Sequence, residues 1–289
     1  MRTEQEMYDL ILSVARENDR IRGVYLNGSR ANPNAKKDCL QDFDIVYIVT
    51  GLEPFLKNPK WIDIFGERVI MQTPEAMNVF PPSMKGRFPY LIQLMDGNRI
   101  DLCLIPISQK EQYISEDKMT ILLLDKDEPQ RKLSKSTDED YWIKPPTQDE
   151  FSEYCNEFWW VSTYVAKGLW RNEILYATEH LNGICRSMLL HILSWKAGLK
   201  TNFKVSVGKC GKYLEQYIKK EEWDAFIHSF GNGDVEQTWD ALFTVCNLFS
   251  KNARMIAFHF NFNYDVKEEE KVITYLNQLR ALPKDATSF

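Results

Sequence analysis

The sequence predicts an α/β (α+β) domain over residues 1–140, followed by an all-α helical bundle over residues 141–289. Strand-type alternation is confined to the first part, in "IRGVYLNGS", "FDIVYIV" and "YLIQLMDGNRIDLCLIP". Helical spacing of apolar residues dominates the second part. Between them "DKDEPQRKLSKSTDEDYWIKPP", residues 125–146, turns to charge, Ser and Pro and reads as a linker, with a boundary near residue 140.

Met7, Leu10, Ile11 and Val14 recur at helical spacing, so the chain opens on an amphipathic helix. "IRGVYLNGS" is a short strand entering a Gly-Ser turn, and "FDIVYIV" is the next strand. A Pro-rich irregular stretch, "NVFPPSMKGRFP", precedes a hairpin whose Asp96-Gly97-Asn98 turn joins two strands. After Pro145-Pro146, Thr147 and Glu150 stand at capping-box spacing, each able to satisfy the other's orphan backbone N–H. A long helix starts there, carried by Phe151, Tyr154, Phe158, Val161 and Val165, and helical spacing continues with Leu175, Ile184, Met188, Leu189 and Ile192. Later helices are expected near 208–219, 234–258 and 267–281, completing a bundle.

Composition narrows the function classes. With 289 residues, 44% hydrophobic and 13% aromatic, the chain can bury a core without disulfides or structural metal, and two domains fit its length. Its formal charge of −5, with basic residues scattered among acids, argues against long nucleic acid or an anionic membrane as partner and is compatible with a cationic small molecule. The six cysteines form no C-x-x-C pair and read as reduced thiols of a cytoplasmic protein. The N-terminus lacks the apolar run of a signal peptide, and no stretch is long and apolar enough to span a bilayer. The four histidines lack zinc-site spacing, and no G-x-S-x-G elbow is present. Oligomeric state is not legible.

Chemistry concentrates in "VYLNGSRANPNAKKDCLQDFDIVYIV". Alternate strand residues share a face, so Asp42 and Asp44 project together while Phe43 and Ile45 point the other way. Two carboxylates ~5 Å apart at an effective dielectric of ~20 repel by roughly 3 kcal/mol, more than the ~1 kcal/mol span of strand propensities. The bland explanation is a solvated strand end. Against it stands Asp101 in "RIDLCLI", a further carboxylate inside an apolar strand; together the three suggest a site for hard divalent ions, Mg²⁺ being the usual occupant. Gly28 and Ser29 end the preceding strand in a turn that lets backbone N–H groups approach an anion, and Arg30 adds a positive charge.

A hydrophobic strand, Gly-Ser, a loop, Asp-x-Asp in a strand and a third Asp in a later strand resemble the polymerase β-related nucleotidyltransferase superfamily. "LNGSRANPN", "DFDIVYIV", "DGNRIDLCLIP" and "FWWVSTYVAKGLWRNEILYA" resemble its aminoglycoside 6-adenylyltransferase branch, over nearly the whole chain. The resemblance implies a mixed-sheet catalytic domain, a helical domain completing the substrate cleft, and transfer of AMP from ATP to a hydroxyl of streptomycin with pyrophosphate released. It implies Mg²⁺, two ions, on Asp42, Asp44 and Asp101, with Asp101 also able to accept the acceptor's proton.

Lys209 and Lys212 in "KVSVGKCGKYLEQYI" could reach a triphosphate from the second domain; the alternative is two solvated lysines at a helix start. The segment is not a Walker A loop, since position 203 is Phe. For a polycationic acceptor, Trp170, Glu173 and Glu179 offer a flat apolar surface and carboxylates, against the alternative of a core Trp and solvated helix acids. Competing functions are nucleotidyl transfer to another aminoglycoside or to a protein side chain, and a non-enzymatic nucleotide-binding module.

Overall fold

In the computed structural model, which describes residues 1–80 and 82–289, the chain divides into two compact units, Met1–Asp140 and Tyr141–Phe289. Within the first unit the helix α1 (Glu4–Glu17) is started by Thr3, whose side chain exchanges hydrogen bonds with Glu6 in a capping box. The strand β1 (Ile21–Leu26), the single turn α2 (Gly28–Ala31) and the strand β2 (Phe43–Val49) follow. Then come α3 (Glu53–Lys57), β3 (Arg68–Gln72), β4 (Phe88–Leu94), β5 (Arg99–Pro106), α4 (Lys110–Glu116) and β6 (Ile121–Asp125).

Among the described residues the strands form one sheet in the order β3-β4-β5-β2-β1-β6. Only its central pair, β2 with β5, is parallel. The sheet is therefore mixed. Alternation along β2 sends Phe43, Ile45 and Tyr47 to the face covered by Met7, Ile11 and Val14 of α1, where the Tyr47 hydroxyl donates to the Ile11 carbonyl at 2.6 Å. Val46 and Ile48 point to the opposite face and pack with Tyr25, Ile105 and Tyr113 of α4. Asp44 continues that second face.

The expected β4–β5 hairpin is present: Gly97 sits at φ +89° in the turn, and the Asp96 carboxylate accepts from the Asn98 backbone N–H at 3.0 Å and from Arg2 Nε at 2.7 Å. The reading of the sequence missed β3 and β6, the two outermost strands. Neither shows a clear inside-outside alternation, which is the signal that identifies a strand locally.

The segment that reads as a linker is fastened at both ends. Arg131 forms a bidentate pair with Glu111, the Ser136 hydroxyl donates to the Ala31 carbonyl at 2.7 Å, and Asn34 donates to Asp138 at 3.0 Å. Past residue 140, the Ile143 N–H bonds the Val205 carbonyl of the second unit at 2.9 Å.

The described residues of the second unit contain α5 (Gln148–Trp170), α6 (Ile174–His180), α7 (Arg186–Thr201), α8 (Lys220–His228), α9 (Val235–Phe260) and α10 (Val266–Ala281). Thr147 caps α5 in the expected box with Glu150. Phe158 of α5 stacks on Phe249 of α9 with ring centroids 3.7 Å apart, inside a core with Leu169, Leu189 and Leu242. The helix expected near 208–219 is not one: the segment has two short 3₁₀ turns, Lys209–Gly211 and Leu214–Gln216. Gly208, Cys210 and Gly211 all take positive φ, which an α-helix cannot absorb. No helix among the described residues is long and apolar enough to cross a membrane.

Candidate active site

Parallel pairing of β2 with β5 sets Asp44 directly opposite Asp101 and Phe43 opposite Ile100. Asp42 lies one residue ahead of β2 and shares the face of Asp44. Two strands almost sixty positions apart in sequence thus bring three carboxylates to one patch of the sheet. On β5, Arg99 shares that face with Asp101 and grips it as a fork, Nε to Oδ1 and an outer nitrogen to Oδ2, both at 2.8 Å. The same Nε is 3.6 Å from an Asp42 oxygen.

The cluster is electrostatically loaded. Burial foremost, then the charges of Asp101 and Asp42, push the Asp44 carboxyl up to about 6. Asp42 is also raised, again chiefly by burial, with Arg99 pulling the other way. Acids that hold one another toward the neutral form are what a divalent cation with oxygen ligands relieves, so the donors fit Mg²⁺ in kind. They do not form a finished coordination shell. Among the described residues no group of three or more His, Cys, Asp or Glu side chains is arranged to hold a metal ion as it stands, and both Asp101 oxygens are committed to Arg99.

The Gly-Ser turn packs against this patch. The Asn27 N–H donates to the Asp44 carbonyl at 2.9 Å, and the next residue, Gly28, has φ +65°. A Cβ on Gly28 would collide with the Asp44 carboxylate, so glycine is required here by both backbone and space. Ser29 follows in α2, half-buried. Arg30 turns inward: its guanidinium donates to the Gln41 and Asp42 carbonyls at 2.9 and 3.1 Å, meets Glu4 at 3.1 Å and lies over the Phe43 ring. It braces the approach to Asp42. On the flank of α2 a cavity of about 620 Å³ is lined by Arg30, Lys37, Arg131, Lys132 and Lys135, with no carboxylate among the described residues of its wall.

Lys209 and Lys212 are exposed residues of the second unit, Lys212 Nζ lying 5.0 Å from the Tyr213 ring centre. Trp170 is partly buried against the helical core, and its indole N–H donates to the Leu282 carbonyl at 3.0 Å. Glu173 and Glu179 are exposed on and before α6. Sequence reasoning passed over Arg99 and Asn27. Arg99 was accessible to it, since a residue two places before Asp101 must share its face. Asn27 was not, because its role depends on Thr120 and Tyr113, which its side chain reaches at 2.7 and 2.5 Å.

The family model described as streptomycin adenylyltransferase matches residues 1–279. A Bacillus subtilis protein named aminoglycoside 6-adenylyltransferase is 43% identical over 270 residues, 93% of this chain and 95% of the relative. A Campylobacter jejuni protein of the same name is 41% identical over 276 residues, 96% of this chain and 95% of the relative. The crystal structure of an aminoglycoside 6-adenyltransferase from Bacillus subtilis shares 38% identity, covers 98% of this chain and 100% of its own, and superposes with a TM-score of 0.49. Likeness over this length identifies the class as enzymes that transfer adenylyl groups. Within that class, the chain belongs to the streptomycin adenylyltransferase family.

Proposed function

We propose that this chain transfers AMP from ATP to one hydroxyl of streptomycin, releasing pyrophosphate and inactivating the antibiotic. The observation that carries the reading is the Asp44–Asp101 register across the parallel pair, with Asp42 on the same face and Gly28 pressed against Asp44. Family membership and the relatives' names support the acceptor class.

The reaction is an in-line displacement at the α-phosphorus. The acceptor oxygen forms a new P–O bond as the bond to the pyrophosphate oxygen breaks, and the acceptor's proton is given up. Asp42, Asp44 and Asp101 would hold two Mg²⁺ ions; such ions, when bound, neutralise phosphate charge and acidify the attacking hydroxyl. The chain's own groups have separate tasks. Asp101 accepts the proton, and Asp44, with a carboxyl pushed up to about 6, is mostly ionised at pH 7.5. The N–H groups of Gly28 and Ser29 meet the phosphates, while Arg30 fixes the backbone that carries Asp42. The basic cavity beside α2 is consistent with an anionic co-substrate. Lys209 and Lys212 are assigned to the triphosphate, and Glu173 and Glu179, with Trp170, to the cationic acceptor.

Incubation with ATP, Mg²⁺ and streptomycin tests the proposal: the drug is expected to gain the mass of one AMP unit, and Asp42→Asn to abolish the gain while leaving the circular dichroism spectrum intact. No gain on streptomycin, with gain on another aminoglycoside or on a protein, would transfer the reading to that acceptor. No turnover with any acceptor would leave a nucleotide-binding module.

A further inference from the structure

Arg99 is not needed to build β5. Its neighbours Ile100, Leu102 and Leu104 are buried on the opposite face, while the Arg99 side chain is 41% exposed and spends its hydrogen bonds on Asp101. It stands within 3.6 Å of Asp42 as well. The other arginine near the patch, Arg30, is turned to the Gln41 and Asp42 carbonyls and to Glu4, so it contacts none of the three carboxylates through a hydrogen bond. Arg99 is therefore the cation bonded to this patch, through Asp101 and within 3.6 Å of Asp42, and it sits on a rotamer-rich stem open to solvent.

We infer that Arg99 is a resident counterion that competes with the divalent cation for Asp101, and that cation binding displaces it. Each Asp101 oxygen keeps a second lone pair, but a guanidinium forked onto both oxygens sets a positive charge beside any cation bound there, so the two oppose each other. In the metal-free protein the fork holds Asp101 in place and limits repulsion with Asp44 across the pairing. Once displaced, the freed fork, still tethered beside Asp42, matches an anionic phosphate oxygen pair. Arg99 thus has two states, forked onto Asp101 without the cation and free for a phosphate with it, so that taking up the cation and freeing the phosphate-binding fork become one linked event. The inference rests on the proposed function, since it assumes that Asp101 is a cation ligand.

Titration of metal-free protein with Mn²⁺ by calorimetry and by the electron spin resonance signal of free Mn²⁺, together with melting curves with and without Mg²⁺, separates this from a structural role. Arg99→Gln is expected to bind Mn²⁺ about threefold or more tightly than wild type, the factor set by the modest worth of a partly exposed ion pair. It should also melt lower without cation, recover the deficit in Mg²⁺, and show a raised KM for ATP. Arg99→Lys, which keeps the charge and loses the fork, should fall between the two. A merely structural arginine would lower the melting temperature with and without Mg²⁺ alike. Unchanged or weaker Mn²⁺ binding in Arg99→Gln, in a protein whose wild-type binding is lost on Asp44→Asn, overturns the inference and leaves the proposed function standing. Absence of Mn²⁺ binding in wild type overturns both.

Discussion

At the scale of single residues, the cost of the carboxylate patch is measurable apart from catalysis. Asp44 titrates near 6 in the fold, against about 4 in an unfolded chain. Because the folded value is the higher one, the ionised side chain costs stability above pH 6, and the cost is relieved as pH falls from 6 toward 4. Asp44→Asn should therefore make the metal-free protein more stable at pH 7.5, by about 3 kcal/mol, with the gain shrinking to about 1 kcal/mol or less at pH 4.5. Chemical denaturation at both pH values checks this; a variant less stable than wild type at pH 7.5 would contradict the account. Gly28→Ala forces a side chain into a positive φ and onto the Asp44 carboxylate. It is expected to cost about 1–2 kcal/mol and to lower AMP transfer far more than that loss of folded protein explains, read as kcat per folded molecule.

At the scale of elements, local signals predicted what local physics controls. The Thr147–Glu150 box starts α5 as the sequence indicates, and Thr147→Ala should lower stability by about 1 kcal/mol with Thr147→Ser close to neutral, both measured by thermal melting. The hairpin turn at Asp96-Gly97-Asn98 was equally legible. The failures share a cause. Residues 208–219 carry apolar spacing that suggests a helix, yet glycines at 208 and 211 and a left-handed Cys210 break it into 3₁₀ turns. β3 and β6 were invisible because edge strands owe their state to a partner strand, not to their own pattern. α7, α8 and α9 are tied by a network no spacing announces. Buried Glu222 bonds Lys196, meets Lys251 at 3.0 Å, and shares Lys196 with Asn252 at 2.8 Å.

At the scale of the whole molecule, the buried clusters of the two units draw on separate residues. Of the eight tryptophans only Trp61 precedes residue 141, so tryptophan fluorescence reports mainly on the helical unit. Glu222→Ala strands Lys196, whose side chain is 16% exposed, and should lower the fluorescence-detected unfolding free energy by about 3 kcal/mol. An unmoved transition would mean that the network contributes little. By itself the sequence determined the periodicities: that Asp42 and Asp44 share a face, that Asp101 interrupts an apolar strand, that Thr147 begins a helix and that Gly28 follows a strand. Tertiary structure alone decided that Asp44 lies opposite Asp101 and that Arg30 turns inward. The reason is range. Side-chain direction follows from the geometry of a few bonded neighbours, whereas the register of two parallel strands joined by residues 50–98 is fixed by no turn and emerges only when the whole sheet packs.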